Sequence, residues 1–212
     1  MTASRPLLPR VRDRRLGSGE LRVAAFGSST TEGIGASDPA RGFPQVMRHR
    51  MLPSFSGGIV LFNHGIGGNN AIDMDARLDA VLADSPDLVV WQTGSNDPLQ
   101  EVPLERFEFL TREGLARFGA GGPDGTPDLV LVDPQYCRML EECAAFPPFL
   151  DAVHRLGEEG GVPVFDRYRR MLQWSLRPGS GRDVLSPDGL HMGDEGYRLL
   201  GEALGDWLLL RA

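Results

Sequence analysis

Short apolar runs alternate along this chain with longer segments in which apolar residues recur every three or four positions. Residues 23–26, 59–63, 88–93, 129–132 and 162–165 are too short and too continuously apolar for amphipathic helices. Each is bounded by Gly, Pro, Asn or Asp, so each reads as a buried strand. Pro163, which cannot donate to a ladder, suits an edge for the last of them. Residues 44–52, 71–82, 103–118, 150–160 and 167–174, with a final stretch from about 194, carry apolar positions at helical spacing. In the final stretch that face is Tyr197, Leu200, Leu204, Trp207 and Leu208. Strands alternating with helices predict an α/β fold, with a five-stranded parallel sheet covered by helices on both faces in three α/β/α layers. Residues 1–20 lack periodicity and read as a flexible arm before one domain over 21–212. Residues 133–149, where Tyr136, Cys137 and Met139 mix with Pro147-Pro148, fit neither pattern and are expected near the mouth of a site.

The first three strands each run into a polar, glycine-containing loop. In open parallel sheets, ligands bind at the carboxyl ends of the strands. The first loop, Gly27-Ser28-Ser29-Thr30-Thr31-Glu32-Gly33, is the densest in hydroxyls. Taken alone it allows three readings: Ser29 as an acyl nucleophile on a tight turn, a phosphate cradle built from backbone N–H groups, or a helix cap.

Composition narrows the class of protein. With 22 Lys+Arg against 29 Asp+Glu the formal charge is -7, which argues against a nucleic-acid partner. The arginines near the start, Arg5, Arg10, Arg12, Arg14 and Arg15, have no aromatic residue among them and read as a solvated tail. No run of about 18 apolar residues predicts a membrane span. The short Pro6-Leu7-Leu8-Pro9 patch is no signal-peptide core, so a cytoplasmic location is expected. Cys137 and Cys143 have no metal-site spacing and are taken as free thiols.

A serine nucleophile needs a base, and the base needs a group to hold its tautomer. His49 and His154 fall inside predicted helices, and His64 lies in a glycine-rich loop. His191 follows Asp188 by three residues in a loop, close enough for one turn to bring the carboxylate to the imidazole. Donors for a developing oxyanion are available from the Gly68 and Ser29 backbone amides and the Asn96 side chain.

Four blocks, Gly27 to Gly33, Asn63-His64-Gly65-Ile66-Gly67-Gly68, Gly94-Ser95-Asn96-Asp97 and Asp188-Gly189-Leu190-His191, occur in an order and spacing that resemble the SGNH/GDSL hydrolase family. The similarity extends over residues 21–205. It implies a flavodoxin-like fold, with Ser29 as nucleophile, His191 as general base, Asp188 as its orienting partner, and Ser29, Gly68 and Asn96 as the oxyanion hole. It also implies cleavage of acetyl or short acyl esters of sugars, lipids or small alcohols, without metal or cofactor. One departure stands out: Ser28 occupies the place of the family's usual Asp. An acyltransferase of the same chemistry is the near alternative. A flavin- or phosphate-binding module is the distant one, and it leaves Asn96, Asp188 and His191 unexplained. Turnover carried by a histidine base is expected to rise with pH as the imidazole loses its proton.

Overall fold

The computed structural model describes residues 8–122 and 124–212. Five parallel strands, β1 (Leu21–Gly27), β2 (Ile59–Gly65), β3 (Leu88–Gln92), β4 (Asp128–Val132) and β5 (Val164–Phe165), stand in the order β2-β1-β3-β4-β5. This is the flavodoxin-like order, with its switch point between β1 and β3. The register places Phe26 beside both His64 and Trp91, so the loops after these three strands leave the sheet along one edge. β5 pairs with β4 only through Leu131↔Val164 and Val132↔Phe165, an edge shortened by Pro163.

Side-chain alternation divides the core. Val23, Leu88, Val90, Val130 and Val132 face one layer, packed with α1 (Pro9–Leu16), α3 (Phe43–Met51), α9 (Arg167–Ser175) and α11 (Asp194–Leu209). Ala24, Phe26, Val89, Trp91 and Leu131 face the other, packed with α4 (Ala71–Asp75), α5 (Leu78–Ala83), α6 (Leu104–Ala120) and α8 (Pro147–Glu159). Three shorter helices, α2 (Ser29–Glu32), α7 (Arg138–Glu141) and α10 (Arg182–Leu185), lie within connections. None of the described helices is long and apolar enough to cross a membrane.

The structure departs from the sequence reading in three places. Residues 8–20 are not a loose tail: Leu8 and Val11 are fully buried, and α1 closes the amino ends of β3 and β4. Arg14 donates from Nε and Nη2 to the buried Asp87 carboxylate at 3.0 Å, Arg10 approaches it at 3.2 Å, and the Val11 amide donates to Asp128 at 2.9 Å. Residues 1–7, including Arg5, lie outside the described residues. The single helix expected over 71–82 is two, because Arg77 leaves helical geometry at φ -116 and ψ 2. Its guanidinium instead donates to the His64 and Gly27 carbonyls at 3.1 and 3.2 Å, over the Phe26 ring. Within residues 133–149, α7 forms and α8 begins three residues earlier than expected, with Pro147 and Pro148 in its first turn, where a missing N–H costs nothing.

Candidate active site

Ser29 begins α2, directly after β1 turns out of the sheet at Gly27 and Ser28. It is nearly buried, at 4% exposure. As the first residue of a helix its backbone N–H has no intrahelical acceptor and remains free for another partner. The short helix lies against β2: a Cβ on Gly65 would fall 2.0 Å from the Glu32 nitrogen, so only glycine lets β2 pass beneath α2.

The loop after β2 comes over the serine. A Cβ on Gly67 would lie 3.9 Å from Ser29 Cβ and 2.7 Å from Ile34. Gly67 donates to the Glu32 carboxylate at 2.6 Å, and the Gly68 carbonyl accepts from Gln100 at 2.6 Å. Gly68 takes φ +78, a conformation glycine adopts without strain, and its N–H has no acceptor among the described residues. Asn96 follows β3, is 7% exposed, and donates one amide hydrogen to the Asn69 carbonyl at 2.8 Å. Its second amide hydrogen is unassigned. Asp97 next to it is buried and accepts from the Ala71 amide at 2.8 Å, tying this loop to the start of α4.

Asp188 and His191 come from the loop between α10 and α11. Asp188 Oδ2 meets His191 Nδ1 at 2.7 Å, and its Oδ1 accepts the Leu190 and His191 amides at 2.8 and 2.6 Å. Burial alone would push this carboxyl up, but the Leu190 amide, the imidazole and the His191 amide outweigh it and hold Asp188 below the usual carboxylate range. His191 Nε2 has no hydrogen-bond partner among the described residues, Ser29 included. The loop rests on the segment that follows Ser29: a Cβ on Gly35 would be 2.5 Å from the Met192 carbonyl and 3.2 Å from His191 Cβ, and Tyr197 donates to the Ile34 carbonyl at 2.6 Å.

The structure therefore gathers Ser29, Gly68 and Asn96 at one edge of the sheet, with the Asp188–His191 pair on a loop seated against the same segment. The other histidines stand apart. His49 is exposed on α3, His64 pairs with Asp84 at 2.5 Å, and His154 pairs with the buried Asp133 at 2.9 Å. Asp133, His154 and Asp166 are the one group among the described residues with three potential metal ligands within 4.8 Å. Their carboxylates already accept the Arg167, Tyr168 and Arg169 amides, and none of the three belongs to the Ser29 cluster. Ser28 is buried, and both its amide and its hydroxyl donate to Gln92 Oε1, at 3.0 and 3.1 Å. Gln92, Gln135 and Arg167 escaped the sequence reading. The one available signal was a glutamine closing the otherwise apolar run of β3.

The sequence model of the non-GDSL lipase-like family matches residues 1–182. The chain belongs to this family. The assignment bears out the resemblance to SGNH/GDSL hydrolases and suits a chain whose first block reads Gly-Ser-Ser-Thr; the matched region ends before Asp188 and His191. No curated protein matches the chain. Among solved structures, a two-domain esterase active on acetylated mannans superposes with a TM-score of 0.78 at 23% identity, over 96% of this chain and 52% of its own. The acetylxylan esterase Axe2 from Geobacillus stearothermophilus superposes with a TM-score of 0.74 at 20% identity, over 90% of this chain and 95% of its own. The lipase/acylhydrolase from Enterococcus faecalis gives 0.73 at 21% identity, over 90% and 96%. At such identities these structures share the fold of this lipase-like chain.

Proposed function

We propose that this protein is a serine ester hydrolase that removes acetyl or short acyl groups from carbohydrate or other small-molecule esters through an acyl-serine intermediate. Ser29 Oγ attacks the ester carbonyl while its proton passes to His191 Nε2. The alkoxide that forms on the carbonyl oxygen accepts hydrogen bonds from the Ser29 and Gly68 amides and the free amide hydrogen of Asn96. Collapse breaks the carbon–oxygen bond to the alcohol, which leaves with the proton from His191. Water then attacks the acyl-serine, again losing its proton to His191, and the acid is released as Ser29 recovers its hydrogen. Asp188 stays ionised throughout, fixing the imidazole with its N–H on Nδ1 and stabilising the imidazolium.

The observation that carries this reading is the Asp188–His191 bond of 2.7 Å, which occupies Nδ1 and leaves Nε2 unpaired on a loop seated against the segment after Ser29. Acetylated mannans as the substrate of one structural relative, and acetylxylan in the name of another, support a small acyl group on a carbohydrate. Ser29→Ala should lower hydrolysis of p-nitrophenyl acetate by at least about a thousandfold, since little beyond binding and oxyanion stabilisation would remain. Turnover retained by that variant would overturn the assignment.

A further inference from the structure

We infer that Gln135, with Arg167 behind it, is a positioning residue that fixes Ser29, Asn96 and His191 relative to one another through the residues immediately before them. The inference rests on the proposed roles of those three.

A single buried hydrogen-bond network reaches all three loops. Gln92 Oε1 accepts from the Ser28 amide, the Ser28 hydroxyl and the Thr31 hydroxyl at 3.0, 3.1 and 3.3 Å. Gln92 Nε2 donates to Ser95 Oγ at 3.3 Å, and Ser95 Oγ donates to Gln135 Oε1 at 2.9 Å. Gln135 Nε2 reaches the Leu190 carbonyl in a long contact of 3.5 Å. Residues 28, 95 and 190 directly precede residues 29, 96 and 191, so the network holds the backbone beside each reacting group without touching the groups themselves.

Arg167 anchors the far side. Its Nη2 donates to Gln135 Oε1 at 2.7 Å and to Ser95 Oγ at 3.4 Å, and its Nε donates to the Asp133 carbonyl at 2.8 Å. The guanidinium has no measurable exposure, and Gln92, Ser95 and Gln135 are at most 2% exposed. A buried charge of this kind is rarely the most stable filling for a core, because a well-packed apolar replacement is often neutral or better. Stability alone therefore does not account for it. The planar donor fork fixes the direction of the Gln135 amide through Nε and Nη2, while Nη1 is buried without an acceptor among the described residues. Rigidity matters here because a misplacement of about 1 Å can cost roughly a hundredfold in rate.

The test compares Gln135→Leu, which removes both ends of the amide at similar volume, with Gln135→Glu, which keeps the acceptor for Arg167 and Ser95 but cannot donate to Leu190. Two readouts are taken on folded protein: the rate at which a fluorophosphonate labels Ser29, located by mass spectrometry, and kcat and KM for p-nitrophenyl acetate. Gln135→Leu should lower the labelling rate and kcat by about ten- to a hundredfold with KM nearly unchanged, and Gln135→Glu should recover part of the loss. Ser95→Ala, which deletes one hydroxyl and serves if Gln135→Leu does not fold, should lower both rates by about three- to tenfold. Folded variants that label and turn over within twofold of wild type, or a Gln135→Glu no better than Gln135→Leu, would overturn the inference, whatever their melting temperatures. Wild-type protein labelled at Ser29 keeps the esterase reading intact in that event, whereas wild type left unlabelled there would remove both.

Discussion

At the scale of single residues, the hydroxyl, imidazole and carboxylate of the site differ sharply in exposure. Ser29 is nearly buried, while the Asp188 side chain is 56% exposed, so the hydrogen bond between Asp188 and His191 draws on geometry more than on low dielectric. Asp97 is the opposite case. Burial, against the pull of the Ala71 amide, pushes its carboxyl up to about 6, and its Oδ2 lacks a hydrogen-bond partner. An unfolded Asp titrates near 3.9, so between about 4 and 6 the native state holds a proton that the unfolded chain has lost. Stability contributed by this group is therefore present at low pH and falls as pH rises through the native value. Asp128, raised to about 6 by burial at the other end of the sheet, has the same sign, so wild type minus variant is the informative quantity. Urea unfolding of wild type and Asp97→Asn should show the variant gaining on wild type by up to about 3 kcal/mol between pH 4 and pH 7. A constant difference across that range would contradict a carboxyl raised by burial.

At the scale of elements, glycines decide how closely the layers approach. On α6, a Cβ at Gly114 would lie 2.5 Å from the Trp91 ring, a rigid neighbour in the core. Gly114→Ala should cost about 1–3 kcal/mol by overpacking, more than the helix propensity it gains, with kcat little changed. Gly65→Ala would strike the backbone of α2 instead and must move the helix that carries Ser29. It should lose stability by a similar amount and kcat by about tenfold or more. Denaturation midpoints set beside kcat separate the two, and equal kcat losses would show that α2 is not held by β2. The elements themselves were largely legible in the sequence, since the short continuous apolar run in residues 88–93 and the helical spacing in 103–118 report burial directly. The break at Arg77 was not legible, because its cause is a guanidinium bonded to carbonyls 13 and 50 positions away.

At the scale of the whole molecule, the same limit explains what the sequence concealed. The four loop blocks were readable because each is local and their order is fixed by topology. The attachment of α1 was not, because Arg14 finds Asp87 across 73 positions and Val11 finds Asp128 across 117. Arg167 likewise meets Ser95 across 72. Asp87 is fully buried and joins α1 to β1 and β3, also accepting the Arg22 amide at 3.0 Å. Asp87→Ala would take the acceptor from the Arg22 amide and from Arg14, whose side chain is partly exposed, and should cost about 1–3 kcal/mol, read as a shift in the denaturant midpoint; a loss below about 0.5 kcal/mol would make α1 an ornament of the fold. The two members of the acid–base pair, by contrast, lie three residues apart on one turn. They form a cassette: the bond inside it lies within one turn and does not depend on where that turn sits against Ser29. Under the proposed mechanism, the register of His191 with Ser29 then depends on the seat of that cassette, the Gly35 backbone beneath Met192, more than on the strength of the bond between Asp188 and His191.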